Sequence, residues 1–135
     1  MTEPGTAALT PPEGRFIDRA HHFPLRVYFE DTDLSGIVYH ANYLRFMERA
    51  RSEMLRILGT GHAERASEEG TAYAVTDVRL KYRRPARLDD SLMVVSELIA
   101  LRAASCRIRQ RVMRGAECLV AVSYTHLTLP TICSV

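Results

Sequence analysis

The sequence predicts an α+β fold in which a curled antiparallel sheet of about five strands wraps around one long central helix. Three observations carry this reading. The segment Ala41 to Leu58 has helical periodicity and a single apolar stripe. Four strand-like segments follow it, the later ones on short connections. A further alternating segment, Leu25 to Glu30, precedes it. Consecutive strands on short connections pair antiparallel, and a helix with one apolar stripe needs a surface to cover. The sheet is the candidate large enough to provide it.

Order is expected to begin near Phe23, after a flexible leader over residues 1–22. Thr2 to Gly14 is mostly small and polar and carries Pro4, Pro11 and Pro12, with no apolar core like that of a signal peptide. From Leu25 to Glu30, Leu25, Val27 and Phe29 alternate with Arg26, Tyr28 and Glu30, the period of a strand with one buried face. Asp31 to Gly36 is rich in turn formers. In the helix, Tyr43, Phe46, Met47, Ala50, Met54, Ile57 and Leu58 form the stripe, and Arg45, Glu48, Arg49, Arg51, Ser52 and Arg56 lie opposite. Arg56 suits the negative end of the helix dipole, and Gly59 suits the position just past the helix.

Gly59 to Gly70 reads as a loop with a helical turn at Ala63 to Glu69. Ala72 to Arg83 reads as a strand that alternates Val78, Leu80 and Tyr82 with Arg79, Lys81 and Arg83, and Pro85 ends it. Ser91 to Leu101 and Ser105 to Arg114 read as two more, and Glu117 to Val122 begins the last. No internal repeat stands out.

A chain of 135 residues suggests one domain, and 47% apolar with 25% charged residues is ordinary for a globular protein. A net charge of +2 does not by itself call for a nucleic-acid partner. No stretch approaches the roughly 20 apolar residues of a membrane-spanning helix, so no membrane insertion is expected. Cys106, Cys118 and Cys133 are scattered without C-x-x-C spacing, which fits a reducing compartment, and the chain is read as cytoplasmic. No metal site is expected. His21 and His22 fall in the leader, His62 and His126 are isolated, and none joins a cluster with ligand spacing. Ser35 lacks the G-x-S-x-G setting of a hydrolase serine.

The chemistry concentrates between the first strand and the helix. Glu30, Asp31 and Asp33 place three carboxylates within four residues, just before a helix start. Helix N-termini expose unpaired N–H groups and partial positive charge, and such a site can hold an oxyanion. A carboxylate beside it can activate water or attack directly. The same residues also suit turn and capping chemistry alone, and spacing does not choose between the two.

The run Tyr28-Phe29-Glu30-Asp31-Thr32-Asp33-Leu34-Ser35-Gly36-Ile37-Val38-Tyr39-His40-Ala41-Asn42-Tyr43 resembles the signature of the 4-hydroxybenzoyl-CoA thioesterase family. It is most similar to the acyl-CoA thioesterases associated with the bacterial Tol-Pal envelope system. Met47 to Leu55 and Pro85 to Asp90 are similar to that group too, so the resemblance spans about Leu25 to Val122. It implies a hotdog fold and hydrolysis of an acyl-CoA to free acid and CoA. The catalytic carboxylate falls on Asp33, as nucleophile or as general base. The N–H that polarises the thioester carbonyl maps to the peptide of His40, whose ring either takes part or merely packs. Gly36 sits where the family has a glycine near the substrate; lacking a side chain, it permits a tight turn or close backbone approach.

Tyr39, Asn42 and Tyr43 are candidates to line the acyl pocket, although the helical stripe favours core packing for Tyr43. Asp31 reads as structural; held extended, it would share a face with Asp33. Among the basic residues Arg79, Lys81, Arg83, Arg84 and Arg87, the last three are the candidates to hold CoA phosphates, with a solvated strand face as the plain alternative. No cofactor is implied, because coenzyme A arrives as part of the substrate. The family's habits imply a homodimer or tetramer, and an acyl carrier protein is a conceivable partner. Two other readings remain: a module that binds acyl-CoA or acyl carrier protein without turnover, and a hotdog dehydratase, whose His-centred motif is missing.

Residues 123–135 depart from the family. Ser123 to Val135 has no charged side chain and does not resemble the family's ending. The expected division is therefore a leader at 1–22, a thioesterase domain at 23–122 and an atypical tail at 123–135, foreign to the gene if a frameshift or assembly error produced it.

Overall fold

The apolar stripe of the central segment forms helix α1 (Asn42–Ile57), one residue shorter at each end than the periodicity suggested. The computed structural model describes residues 9–58, 71–102 and 105–130. The expected loop with its helical turn, Gly59 as helix terminator, and Cys133 lie outside the described residues. Around α1 run strands β1 (Arg15–Ile17), β2 (Ala20–Arg26), β3 (Thr71–Tyr82), β4 (Ser91–Leu101), β5 (Ser105–Arg114) and β6 (Glu117–Pro130). They form one six-stranded sheet in the order β1-β2-β4-β5-β6-β3, and every neighbouring pair is antiparallel.

The core lies between α1 and one face of this sheet. Tyr43, Phe46, Met47, Ala50 and Met54 of the helix are buried with Phe23, Leu92, Val94, Val112, Leu119, Val122 and Tyr124 of the strands. Each large apolar side chain withdrawn from water in this way contributes roughly 1.5–3 kcal/mol. Two polar residues share the interface. The Gln110 amide donates to the Met47 carbonyl at 2.8 Å and to Ser96 Oγ at 2.9 Å, so both its hydrogens are used under the helix. Nothing in the alternation of β4 or β5 marks these two positions as buried polar pairs.

The N-terminal boundary differs from expectation. Residues 15–17 and 20–26 are strands joined by a tight turn with Asp18 and Arg19 at positive φ, so the expected leader over residues 1–22 contains a hairpin. Its first strand is short, at the sheet edge and exposed, so no buried face prints a period of two on the sequence. His21 is fully buried, and its Nε2 donates to the Glu13 carbonyl at 2.7 Å. Burial lowers its pKa. The inward set is thus His21, Phe23, Leu25 and Val27, with Leu25 partly buried, rather than a run ending in Phe29. Beyond Arg26 the chain leaves the sheet and forms a 3₁₀ turn at Phe29–Asp31, leaving Phe29 82% exposed.

The C-terminal boundary differs too. β6 continues through Val122 to Pro130 and pairs with β5 on one side and β3 on the other, so no structural division falls at residue 122. The uncharged sequence after Val122 suits an interior strand flanked on both sides. Tyr124 is buried there against α1, its hydroxyl 3.5 Å from Met47 Sδ.

A chain ending at Val122 should therefore lose its cooperative unfolding transition or show a much lower midpoint. Losing the buried Tyr124 ring alone costs about 3–5 kcal/mol on the scale of aromatic-to-alanine changes in cores. Thermal or urea unfolding followed by circular dichroism reads this, and an unshifted midpoint would show that residues 123–130 are dispensable.

Candidate active site

Between β2 and α1 the backbone closes two successive turns. In the first, the Tyr28 N–H donates to Asp31 Oδ2 at 2.8 Å and the Asp31 N–H returns to the Tyr28 carbonyl at 3.0 Å. The Asp31 carboxylate is thereby used within its own turn, in the structural role expected, though in a 3₁₀ rather than an extended conformation. In the second, Thr32 bridges Val38, the Asp33 N–H donates to the Ile37 carbonyl at 2.9 Å, and the Gly36 N–H donates to the Asp33 carbonyl at 3.1 Å. Gly36 adopts φ +79°, but a Cβ there would meet nothing within 4 Å. Within one protomer, conformation rather than close approach is what requires glycine.

Asp33 stands exposed at the tip of this second turn. The Ser35 hydroxyl and the Ser35 N–H, the latter at 2.9 Å, both donate to Oδ1. Those bonds, the hydroxyl first, hold the Asp33 carboxyl below the usual carboxylate range. The backbone N–H groups of Ile37 and of Asp33 itself add to this in smaller measure. Ser35 matters here as a donor, and its place two residues after an aspartate was the available signal.

The chain then enters α1 through Tyr39, His40 and Ala41. Ala41, at the N-cap, offers no side-chain cap, and the first turn carries no acid. The N-terminal N–H groups therefore have no carboxylate of their own. The Tyr82 hydroxyl, from the end of β3, donates to the His40 carbonyl at 2.8 Å and fixes that peptide. The His40 ring lies 4.4 Å from the Tyr39 ring and 6.5 Å from that of Tyr82, centroid to centroid. Tyr39 is half exposed. Asn42 acts as a strap: its Nδ2 donates to the Asp31 carbonyl and its N–H to the Tyr39 carbonyl, both at 2.9 Å.

Tyr43 belongs to the core, with 2% of its surface exposed. Its hydroxyl accepts the Ala86 N–H at 2.8 Å, and burial raises its pKa. This is the packing role that the stripe favoured.

The basic cluster divides. Arg84 pairs with Glu117 at 3.0 Å and Arg79 with Asp77 at 3.7 Å. Arg83 and Arg87 are exposed, and among the described residues neither side chain has an acid within ion-pair distance. Arg87 also bridges Ile37 through its backbone, which brings the 83–90 loop alongside the Asp33 turn. The described residues contain no cluster suited to a metal. A cavity of about 730 Å³ opens elsewhere, among Pro24, Met93, Val95, Arg111 and Met113; Tyr28 reaches its rim and Asp33 does not line it.

Residues 35–121 match the sequence profile of the Thioesterase superfamily, beginning just beyond Asp33. An acyl-CoA thioesterase, YbgC, of Haemophilus influenzae is 44% identical over 99 residues, 73% of this chain and 73% of that protein. The acyl-CoA thioester hydrolase YbgC of Escherichia coli is 41% identical over 98 residues, 73% of this chain and 72% of that one. The crystal structure of a probable thioesterase from Bartonella henselae superposes with a TM-score of 0.77 at 36% identity, covering 82% of this chain and 92% of that chain.

The turn geometry makes a direct electrostatic prediction. Replacing Ser35 by alanine removes the largest stabiliser of the ionised Asp33, so the Asp33 pKa should rise toward the ordinary carboxylate value. Carboxyl-carbon NMR titration of wild type and Ser35→Ala reads the shift, and coincident curves would refute the assigned cause.

Proposed function

The chain belongs to the thioesterase superfamily, and from that premise we propose that it hydrolyses an acyl-CoA thioester, consuming water and releasing the free acid and coenzyme A. The observation that carries this is the pairing of an ionised, solvent-exposed Asp33, oriented by Ser35, with an uncapped helix N-terminus a few residues on. Asp33 acts as nucleophile on the thioester carbon or as the base that deprotonates water. The N–H groups at His40 and the first turn of α1 stabilise the charge that develops on the carbonyl oxygen. The His40 ring has no assigned step.

Of the three candidate arginines, Arg83 and Arg87 are free to meet the phosphates of coenzyme A, while Arg84 is partly neutralised by Glu117. Coenzyme A enters with the substrate and no further cofactor is required. A second copy of the chain would cover Phe29 and Leu34, large apolar side chains that one protomer leaves open beside Asp33. The reading is therefore of a homo-oligomer.

Three measurements test it. Purified protein given short, long and aromatic acyl-CoAs should release free thiol from at least one class, and binding throughout the panel without release would favour a binding module instead. Against the best substrate, Asp33→Asn should lower kcat by about 10²–10⁴-fold with little change in fold, the range typical for losing a general base. Unchanged turnover would remove Asp33 from its role. The double variant Arg83→Ala, Arg87→Ala should raise KM several-fold, more at low salt than at high, because the contacts are exposed ion pairs.

A further inference from the structure

The Asp33 segment is gripped on both sides by one loop distant in sequence, residues 83–90. On the near side, the Val27 N–H donates to the Asp90 carbonyl at 2.9 Å and the Asp89 N–H to the Val27 carbonyl at 3.0 Å. On the far side, the Val38 N–H donates to the Ala86 carbonyl at 2.9 Å, the Leu88 N–H to the Gly36 carbonyl at 3.4 Å, and Ile37 bridges Arg87. Asp89 adopts φ +69°, a left-handed turn conformation that aspartate tolerates better than most residues.

The loop is tied to the core by Tyr43 at Ala86 and to Leu119 by the Arg83 and Arg84 N–H groups, and one guanidinium braces its other half. Arg114, the last residue of β5, donates through Nη1 to Asp90 Oδ2 at 2.8 Å and to the Pro85 carbonyl at 3.4 Å. Through Nη2 and Nε it donates to Glu117 Oε1 at 2.8 and 3.2 Å. The same Asp90 oxygen accepts the Arg87 N–H at 2.8 Å. Burial works against the Asp90 charge, but the Arg87 N–H and Arg114 outweigh it and hold that carboxyl below its usual range.

We propose that Arg114 is a positioning residue for the Asp33 site, acting through the 83–90 loop as a brace; this rests on the thioesterase reading above. The argument is one of magnitudes. The side chains of Arg114, Asp90 and Glu117 are 32%, 24% and 33% exposed, and pairs so open to water contribute little to global stability. Catalysis is more sensitive: a displacement of about 1 Å at a reacting group can cost about 100-fold in rate. Arg114 should therefore matter more to turnover than to folding. A lysine can hold one acid at a time, whereas the planar fork spans Asp90 and Glu117 together.

The test uses Arg114→Met and Arg114→Lys in the full chain, read by kinetics and by amide hydrogen exchange. Expected for Arg114→Met is a folded protein with kcat lowered about tenfold or more and KM within about threefold. Arg114→Lys should recover part of the loss. The Val38 and Asp89 amides should exchange about tenfold faster while amides in the middle of α1 are unchanged. The proposal is overturned if folded Arg114→Met keeps kcat within about twofold. It is equally overturned if exchange at Val38 and Asp89 is unaltered, or speeds up only in step with α1. Should Arg114→Met not fold, Arg114→Lys is judged by the same criteria. If the wild-type chain hydrolyses no thioester, the functional reading fails and the exchange measurement alone decides whether the brace exists.

Discussion

One side chain, Tyr43, joins the core to the loops around the candidate site. Its ring packs in the first turn of α1, 6.0 Å from Phe46 and 5.7 Å from Tyr82, centroid to centroid. Its hydroxyl accepts the Ala86 N–H, and the Ala86 carbonyl accepts the Val38 N–H. Helix start, brace loop and the backbone beyond Asp33 are thus connected through consecutive hydrogen bonds. Tyr82 reaches the same region from β3 and ends on the His40 carbonyl. A tyrosine suits this task because its ring supplies apolar area while its hydroxyl still needs a partner when buried. The site is consequently anchored by core packing, although its own residues lie in exposed turns.

The helix and the last strands were legible because burial stamps a period on the sequence. Tyr43, Phe46, Met47, Ala50 and Met54 recur at helical spacing, and β4 and β5 begin and end where the alternation and turns placed them. The hairpin of β1 and β2 was not legible, since three exposed edge residues carry no pattern and His21 does not look apolar. The continuation of β6 was hidden for a different reason. Its unusual composition drew attention away from Tyr124, whose burial needs β5 and α1 in place. Asp33 was singled out as a candidate by an extended motif rather than by spacing. Ser35, Tyr82 and Arg114, which arrange the site, could not be found that way. Ser35 was weighed only as a nucleophile, and the other two act across 42 residues to His40 and 24 to Asp90.

The electrostatics of Asp33 bear on what the proposed hydrolysis requires. Its carboxyl is held below the usual range by Ser35, and a stronger acid is a weaker base. A general base working near neutral pH needs the opposite displacement, which desolvation supplies. Within one protomer Asp33 stands in water, so desolvation has little hold on it. Bound substrate and a second protomer, closing over Phe29 and Leu34, would each exclude water from Asp33 and raise its affinity for a proton. The Ser35 bonds then take on a second meaning. They orient the carboxylate through Oδ1, so that gain in basicity or nucleophilicity would be expressed by a group already fixed in place. A carboxylate oriented by its own turn but activated by its surroundings would stay inert in the free protomer and become reactive where the thioester is bound.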